Sequence, residues 1–254
     1  MAPLVSEDAD MSSVTKNIAF TVRSISTIGN YDYMFSYNFF LDGSIEVSVR
    51  ASGYIHGGFS ANNEEYGWKI HDNLSGSIHD HVLTYKADID VLGEKNSLQK
   101  VEFVPATIEY PWSNGAKRNT MKLQKSFVQN ENEAKINWAP NGAAMYAIVN
   151  KEAKNKFGEY PGYRFTPGRW ANCAIQLPEC GTNRVATSNV IFLTISNSSN
   201  VMNAVNFADH HFYVTKQKDT EAQGTHPYNV LNPADPLIDF AKFFDGESLD
   251  QEDL

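Results

Sequence analysis

Thr27-Ile28-Gly29-Asn30-Tyr31-Asp32-Tyr33 sets Gly29 and Asn30, two residues that tolerate a positive φ, directly ahead of an alternating aromatic row. Tyr31, Tyr33, Phe35, Tyr37 and Phe39 fall at every second position and so share one face of a strand. A sharp bend at Gly29-Asn30 therefore presents Tyr31 at a strand start. Upstream, Ile18, Phe20 and Val22 alternate with polar neighbours, the pattern of a half-buried strand. Downstream, Asp42-Gly43 is a strong hairpin dipeptide, and Ile45, Val47 and Val49 form the return strand. The aromatic row reads as core packing, Phe35 and Phe39 above all, because strand aromatics normally pack into the interior.

The same periodicity extends along the chain. Gly53-Tyr54-Ile55 and Gly57-Gly58-Phe59 imply a further strand with close backbone approach. Gly76 to Gly93 reads as the clearest long strand, with His79, His81, Leu83 and Tyr85 on one face and Asp80, Val82, Asp88 and Asp90 on the other. Apolar or alternating runs recur at 101–104, 145–149, 190–195 and 212–215, separated by Pro, Gly and Asn clusters. One stretch predicts a helix: Asp235 as N-cap, Pro236 in the first turn, then Leu237, Phe240, Ala241 and Phe244, with Gly246 as the stop. Residues 127–135 and 151–156 are polar and read as short helices or loops. Residues 1–16 read as a disordered lead-in and 17–254 as one ordered region. The expected fold class is all-β, a large β-sandwich with few short helices.

Composition narrows the partners. In 254 residues, 42% apolar and 12% aromatic content supports a sizeable core. A formal net charge of −9 offers no basic stripe, so nucleic acid and anionic membrane are poor partners. No apolar run reaches the length of a membrane span, and residues 1–10 are polar and acidic. Cys173 and Cys180 could close a small loop or stay as two thiols, and Asn73-Leu74-Ser75 and Asn197-Ser198-Ser199 fit the glycosylation sequon. None of this assigns a compartment.

Two imidazoles at i and i+2 on a strand project to one side, so His79 and His81 can reach one metal ion, and neutral imidazole suits copper, zinc, iron or nickel. The plain alternative is a polar strand face. His210, His211 and His226 qualify as further ligands by type alone.

Asn30-Tyr31-Asp32-Tyr33, followed by Ala51-Ser52-Gly53-Tyr54-Ile55 and then His79-Asp80-His81, resembles the catalytic domain of copper-containing primary amine oxidases. Asp88-Ile89-Asp90-Val91-Leu92-Gly93, Lys95-Asn96-Ser97, Tyr213-Val214-Thr215-Lys216 and Asn232-Pro233-Ala234-Asp235-Pro236 are similar too, so the likeness covers nearly all of the ordered chain. The resemblance implies that Tyr31 is oxidised in place by copper and dioxygen to topaquinone, with Asn30 and Asp32 as motif neighbours. It implies oxidative deamination of small primary amines to aldehyde, ammonia and hydrogen peroxide. His79 and His81 match two of three copper ligands. A calcium site is implied at Asp88, the backbone oxygen of Ile89, Asp90, Asp253 and the backbone oxygen of Leu254, and Asp245 and Glu247 match a second such site less closely. The family is homodimeric. Its third copper histidine would lie past Leu254 and its proton-abstracting aspartate ahead of residue 1, so the expected catalytic domain is partial at both ends. Two functional readings follow, an amine oxidase or a non-catalytic β-sandwich that binds metal or a partner. A non-haem iron reading of His-x-His lacks an assigned carboxylate.

Overall fold

The computed structural model describes residues 4–5, 12–13, 16–55, 57–60, 65, 67–77, 83, 85–167, 210–232 and 234–254. They fall into two compact units, the first within Met1–Asp80 and the second within His81–Gly181 and Phe192–Leu254. The architecture is all-β: among the described residues, helix occurs only as short 3-10 turns, the longest Pro227–Leu231.

In the first unit, β1 (Leu4–Val5) and β2 (Ser12–Ser13) pair antiparallel, inside the stretch whose composition reads as a disordered lead-in. Strands β3 (Ala19–Ile28), β4 (Tyr31–Phe40) and β5 (Ile45–Gly53) form a three-stranded meander with β4 at its centre. The Asp42-Gly43 turn forms as expected: Gly43 sits at φ 83, and Asp42 Oδ1 accepts the Ser44 N–H at 2.9 Å. The aromatic row is less interior than expected. Tyr33 is the buried member, Phe35 is half-buried, and Phe39 is 40% exposed. β3 is an edge strand exposed along its whole length, with Phe20 and Val22 open rather than half-buried. Strands β6 (Gly57–Phe59), β7 (Gly67–His71) and β8 (Leu74–Ser77) make a second small sheet in the order β6-β8-β7.

Among the described residues the long strand expected from Gly76 to Gly93 is not continuous: β8 ends at Ser77, and residues 85–90 pair with no strand. Alternation reports an extended backbone, not a partner. Here single groups take the place of a ladder. Leu254 O accepts the Ile89 N–H at 3.0 Å, Asn96 Oδ1 accepts the Val91 N–H at 3.2 Å, and Asn150 Nδ2 donates to Val91 O at 2.8 Å.

The second unit is built on β9 (Asn96–Glu109), whose first four residues are buried. β10 (Lys117–Phe127) pairs with β9 from Gln99 to Glu109, so the hairpin they make runs from the core into solvent. At its tip Tyr110 stacks on an exposed Trp112. β11 (Lys135–Ile136) pairs with a distant partner met below, and β12 (Ala144–Val149) lies on the other side of β9, followed outward by β13 (Gly162–Phe165). β14 (Phe212–Tyr213) pairs with β11, two residues where a four-residue strand was expected. β15 (Asp250–Glu252) takes the start of β9, with Asp250 opposite Ser97. Leu98, Ile148, Val214, Leu249 and Leu254 meet in the core between these segments.

The helix expected from Asp235 is one 3-10 turn, Phe240–Phe243, capped by Asp239 through Ala241 N. Buried Asn229 explains the shortening. Its side chain accepts the Ile238 N–H at 3.2 Å and donates to Ile238 O at 2.8 Å, which holds that residue out of a helical turn. Gly246 does end the segment, at φ 90. Cys173, Cys180, Asn197 and the run at 190–195 lie outside the described residues.

Asp250 fastens β15 to the sheet through Ser97 Oγ at 2.8 Å and an ion pair with Lys151. The Lys151 hydrogen bond, then that of Ser97, holds its carboxyl below the usual aspartate range. A lowered acid contributes stability above its ordinary value, and that contribution is lost as pH falls through the lowered one. Because the Asp250 side chain is 40% exposed, Asp250→Asn is expected to cost only about 1 kcal/mol at pH 7, and the difference from the native chain should start to shrink near about pH 4 and be lost as pH falls through the lowered value, measured by urea denaturation across pH.

Candidate functional site

The first constellation is the hairpin end that carries Tyr31. Ile28 pairs with Tyr31 across a two-residue connection, and Gly29 at φ 60 supplies the positive φ that primed hairpin turns need. Tyr31 is thereby the first residue of β4, half-buried, and it pairs with Gly53 at the end of β5. Gly53 lies at φ 129, where a Cβ would sit 2.1 Å from Asn30 O and 2.9 Å from Tyr31 Cα. Only glycine lets the motif's backbone lie that close. Tyr54 N then donates to Asn30 O at 3.0 Å, and Thr27 Oγ1 donates to Asp32 Oδ1 at 2.5 Å. The Tyr31 and Tyr33 rings are tilted with centroids 6.4 Å apart, and burial, then the neighbouring Tyr31, pushes the Tyr33 hydroxyl up. A rigid turn thus presents a phenol beside a second, buried phenol.

His79 and His81 lie outside the described residues. Of the other histidines, His211 Nδ1 accepts from Trp138 N at 3.4 Å, with burial and His210 pushing the imidazole down, and His226 Nδ1 accepts from Tyr228 N at 3.2 Å. Among the described residues, no histidine belongs to a group of three metal-ligating side chains.

The second unit brings together two acidic groups. Asp88, Asp90 and Asp253 offer oxygens all within 4.8 Å of one another. They meet because Ile89 N donates to Leu254 O and Gln217 N donates to Asp253 O at 2.8 Å, which seats the 253–254 backbone beside 88–90. Burial, then Asp88 and Asp90, with Glu94 and Asp219 behind them, pushes the Asp253 carboxyl up, and its Oδ1 is buried with no donor among the described residues. No ion pair reaches the three carboxylates among the described residues. Hard oxygen donors of one sign are what calcium takes.

The other group is Glu131, Asp245 and Glu247, also within 4.8 Å. Asp245 and Glu247 were legible in the sequence, whereas Glu131 and Lys218 were not. Glu131 is fully buried. Its Oε1 accepts Lys216 N at 3.1 Å, and its Oε2 accepts Asp245 N at 3.2 Å and Glu247 N at 3.3 Å. Burial, joined by the Asp245 side chain, nonetheless pushes its carboxyl up, against the Lys216 and Glu247 N–H groups and the Lys218 charge.

Comparison with known proteins adds an independent line. A family model described as copper amine oxidase, enzyme domain, matches residues 5–254. The chain is 54% identical over 242 residues to copper amine oxidase vicK1 of Bipolaris victoriae (strain FI3), covering 95% of this chain and 32% of that protein. It is 30% identical to the copper-containing amine oxidase 3 of Bos taurus, covering 91% of this chain and 28% of that protein. The crystal structure of Aspergillus nidulans amine oxidase superposes with a TM-score of 0.78 at 48% identity, over 100% of this chain and 31% of that one. Pichia pastoris lysyl oxidase gives 0.79 at 38% identity, over 100% and 32%. The chain thus spans about a third of the length of such relatives.

Gly53→Ala forces a side chain into the Asn30 carbonyl at a φ that alanine resists. It is expected to destabilise the β3-β4-β5 meander by about 2–4 kcal/mol, with a matching loss of amide protection at Tyr31 and Tyr54 by hydrogen exchange.

Proposed function

The chain belongs to the copper amine oxidase family, and from that premise we propose that it carries the cofactor-bearing part of a primary amine oxidase, with Tyr31 as the residue that becomes topaquinone. The observation that supports this best is the placement of Tyr31. A phenol at the first position of a strand, behind a tight glycine turn and with its backbone close against Gly53, is held in place while the residue stays only half-buried. The group, once formed, would supply an electrophilic carbonyl and an electron sink that ordinary side chains lack.

The remaining roles belong to the chain's own residues. Asn30 and Asp32 fix the strand entry, Asn30 through its carbonyl and Asp32 through Thr27. His79 and His81, two neutral imidazoles at i and i+2, are the proposed copper ligands, a donor set that suits copper. Asp88, Asp90 and Asp253, with the carbonyl oxygens of Ile89 and Leu254, are the proposed calcium ligands. The Leu254 oxygen already accepts the Ile89 N–H but keeps a second lone pair. In balance, a primary amine, dioxygen and water would give aldehyde, ammonia and hydrogen peroxide. A small primary amine and dioxygen are the proposed substrates, and a homodimer the proposed assembly.

Aerobic copper loading of the purified chain, followed by mass spectrometry of the Tyr31 peptide and carbonyl-reagent labelling, tests the cofactor. The expected result, once the third copper histidine and the proton-abstracting aspartate implied by the resemblance are supplied with these residues, is an oxidised Tyr31 and amine-dependent peroxide release that Tyr31→Phe abolishes. An unmodified Tyr31 with no peroxide would favour the non-catalytic β-sandwich. For the calcium site, Asp88→Asn removes one of three anionic ligands and is expected to weaken calcium binding by roughly 10-fold or more in calorimetry.

A further inference from the structure

The second acidic group differs from the first in what sits at its centre. Lys218 Nζ lies 2.5 Å from Glu247 Oε2, 3.4 Å from Asp245 Oδ2, 3.6 Å from Glu221 Oε1 and 3.7 Å from Glu131 Oε1. Four carboxylates from three separate segments thus converge on one ammonium. The Lys218 side chain is only 21% exposed, so its charge is not simply dissolved in water. Its main chain is fixed as well: Lys218 O accepts from Lys86 Nζ at 3.1 Å and from Glu221 N at 3.1 Å.

We propose that Lys218 is the resident cation of this cage, filling with its ammonium the place a calcium ion would take, so that the native chain holds no divalent ion there. The resemblance that implies a second calcium site at Asp245 and Glu247 does not fit the residues present. A calcium ion draws six to eight oxygens to about 2.3–2.6 Å, and it could not share a centre with an ammonium already 2.5 Å from one of those oxygens. Like charges at that range repel. An ammonium, in turn, is a compact charge with three donors and can serve several carboxylates at once. Glu131 fits the same reading: it is buried and needs a nearby positive charge. The clasp ties the turn at 131, the segment 216–221 and the loop 245–247 without a metal.

Equilibrium dialysis of the full chain against calcium tests this in an Asp88→Asn/Asp90→Asn background, which disables the first acidic group. With Lys218 intact, this chain is expected to retain no calcium. Adding Lys218→Met, which keeps the stem and removes the charge, is expected to bring one ion per chain. Calcium retained while Lys218 is intact overturns the proposal, and so does the absence of any gain in a folded Lys218→Met chain. Should the methionine variant not fold, the intact-lysine arm decides alone. The outcome is separate from that of the first site, because failure of the wild-type chain to bind calcium would sink the Asp88, Asp90 and Asp253 assignment and leave the Lys218 comparison standing.

Discussion

A carboxylate removed from water must be met by donors or it destabilises the fold by several kcal/mol. In the second unit that constraint falls on Glu131. The donors that satisfy it are the backbone N–H groups of Lys216, Asp245 and Glu247, and placing them fixes much else. Once Glu247 is docked, Asn130 bridges to Ser248 and Leu249 N donates to Gln129 O, which seats the fully buried Leu249 in the core. β15 follows onto the start of β9, and the chain then delivers Asp253 to Asp88 and Asp90. The acidic cluster at residues 88, 90 and 253 is therefore a downstream result of how one buried glutamate is satisfied.

The first unit depends on a backbone constraint instead. The entry of β4 must pass within contact distance of the end of β5, and Gly53 is what permits it. That close approach, with the turn at Gly29, leaves Tyr31 little freedom at its Cα while the residue is half-buried. The role proposed for Tyr31 would benefit from such rigid neighbours, because looseness at the backbone multiplies at the ring.

Local signals carried the parts of this fold that depend on neighbours in sequence. The turns at Gly29-Asn30 and Asp42-Gly43, the three meander strands and the close approach at Gly53 were all legible, since each rests on residue types that few backbone conformations satisfy. The losses have one cause. Residues 76–93 alternate as a strand does, yet Val91 is taken up by the side chains of Asn96 and Asn150 rather than by a neighbouring strand. Residues 235–244 carry a helical apolar spacing, yet Asn229 captures Ile238 from outside the segment. Nothing in the sequence singled out Glu131 and Lys218, because all of their charged partners but Glu221 are distant in sequence. Periodicity reads what a segment prefers; it does not read which side chain elsewhere will claim its backbone. Asp88, Asp90 and Asp253 were legible only through resemblance, for nothing in the spacing of 88, 90 and 253 announces a meeting.

The two acidic groups in the second unit pose one electrostatic problem and meet it differently. Oxygens of like charge about 4 Å apart repel by roughly 4 kcal/mol per pair at an effective dielectric near 20, so each group needs a proton or a cation. The segment between Val214 and Lys218 forms no helix, and consecutive side chains in it serve different clusters. Lys218 turns to Glu131, Asp245 and Glu247, while Gln217 reaches Asp88 Oδ2 at 3.5 Å. An ammonium brings both donors and charge; an amide brings a donor and no charge. Hence the group around Glu131 has part of its charge compensated from within, whereas the group of Asp88, Asp90 and Asp253 is offered only an amide, and its Asp253 carboxyl is pushed up by burial and by its acidic neighbours. The identity of two adjacent residues, lysine and glutamine, thereby sets how much charge each cluster leaves uncompensated.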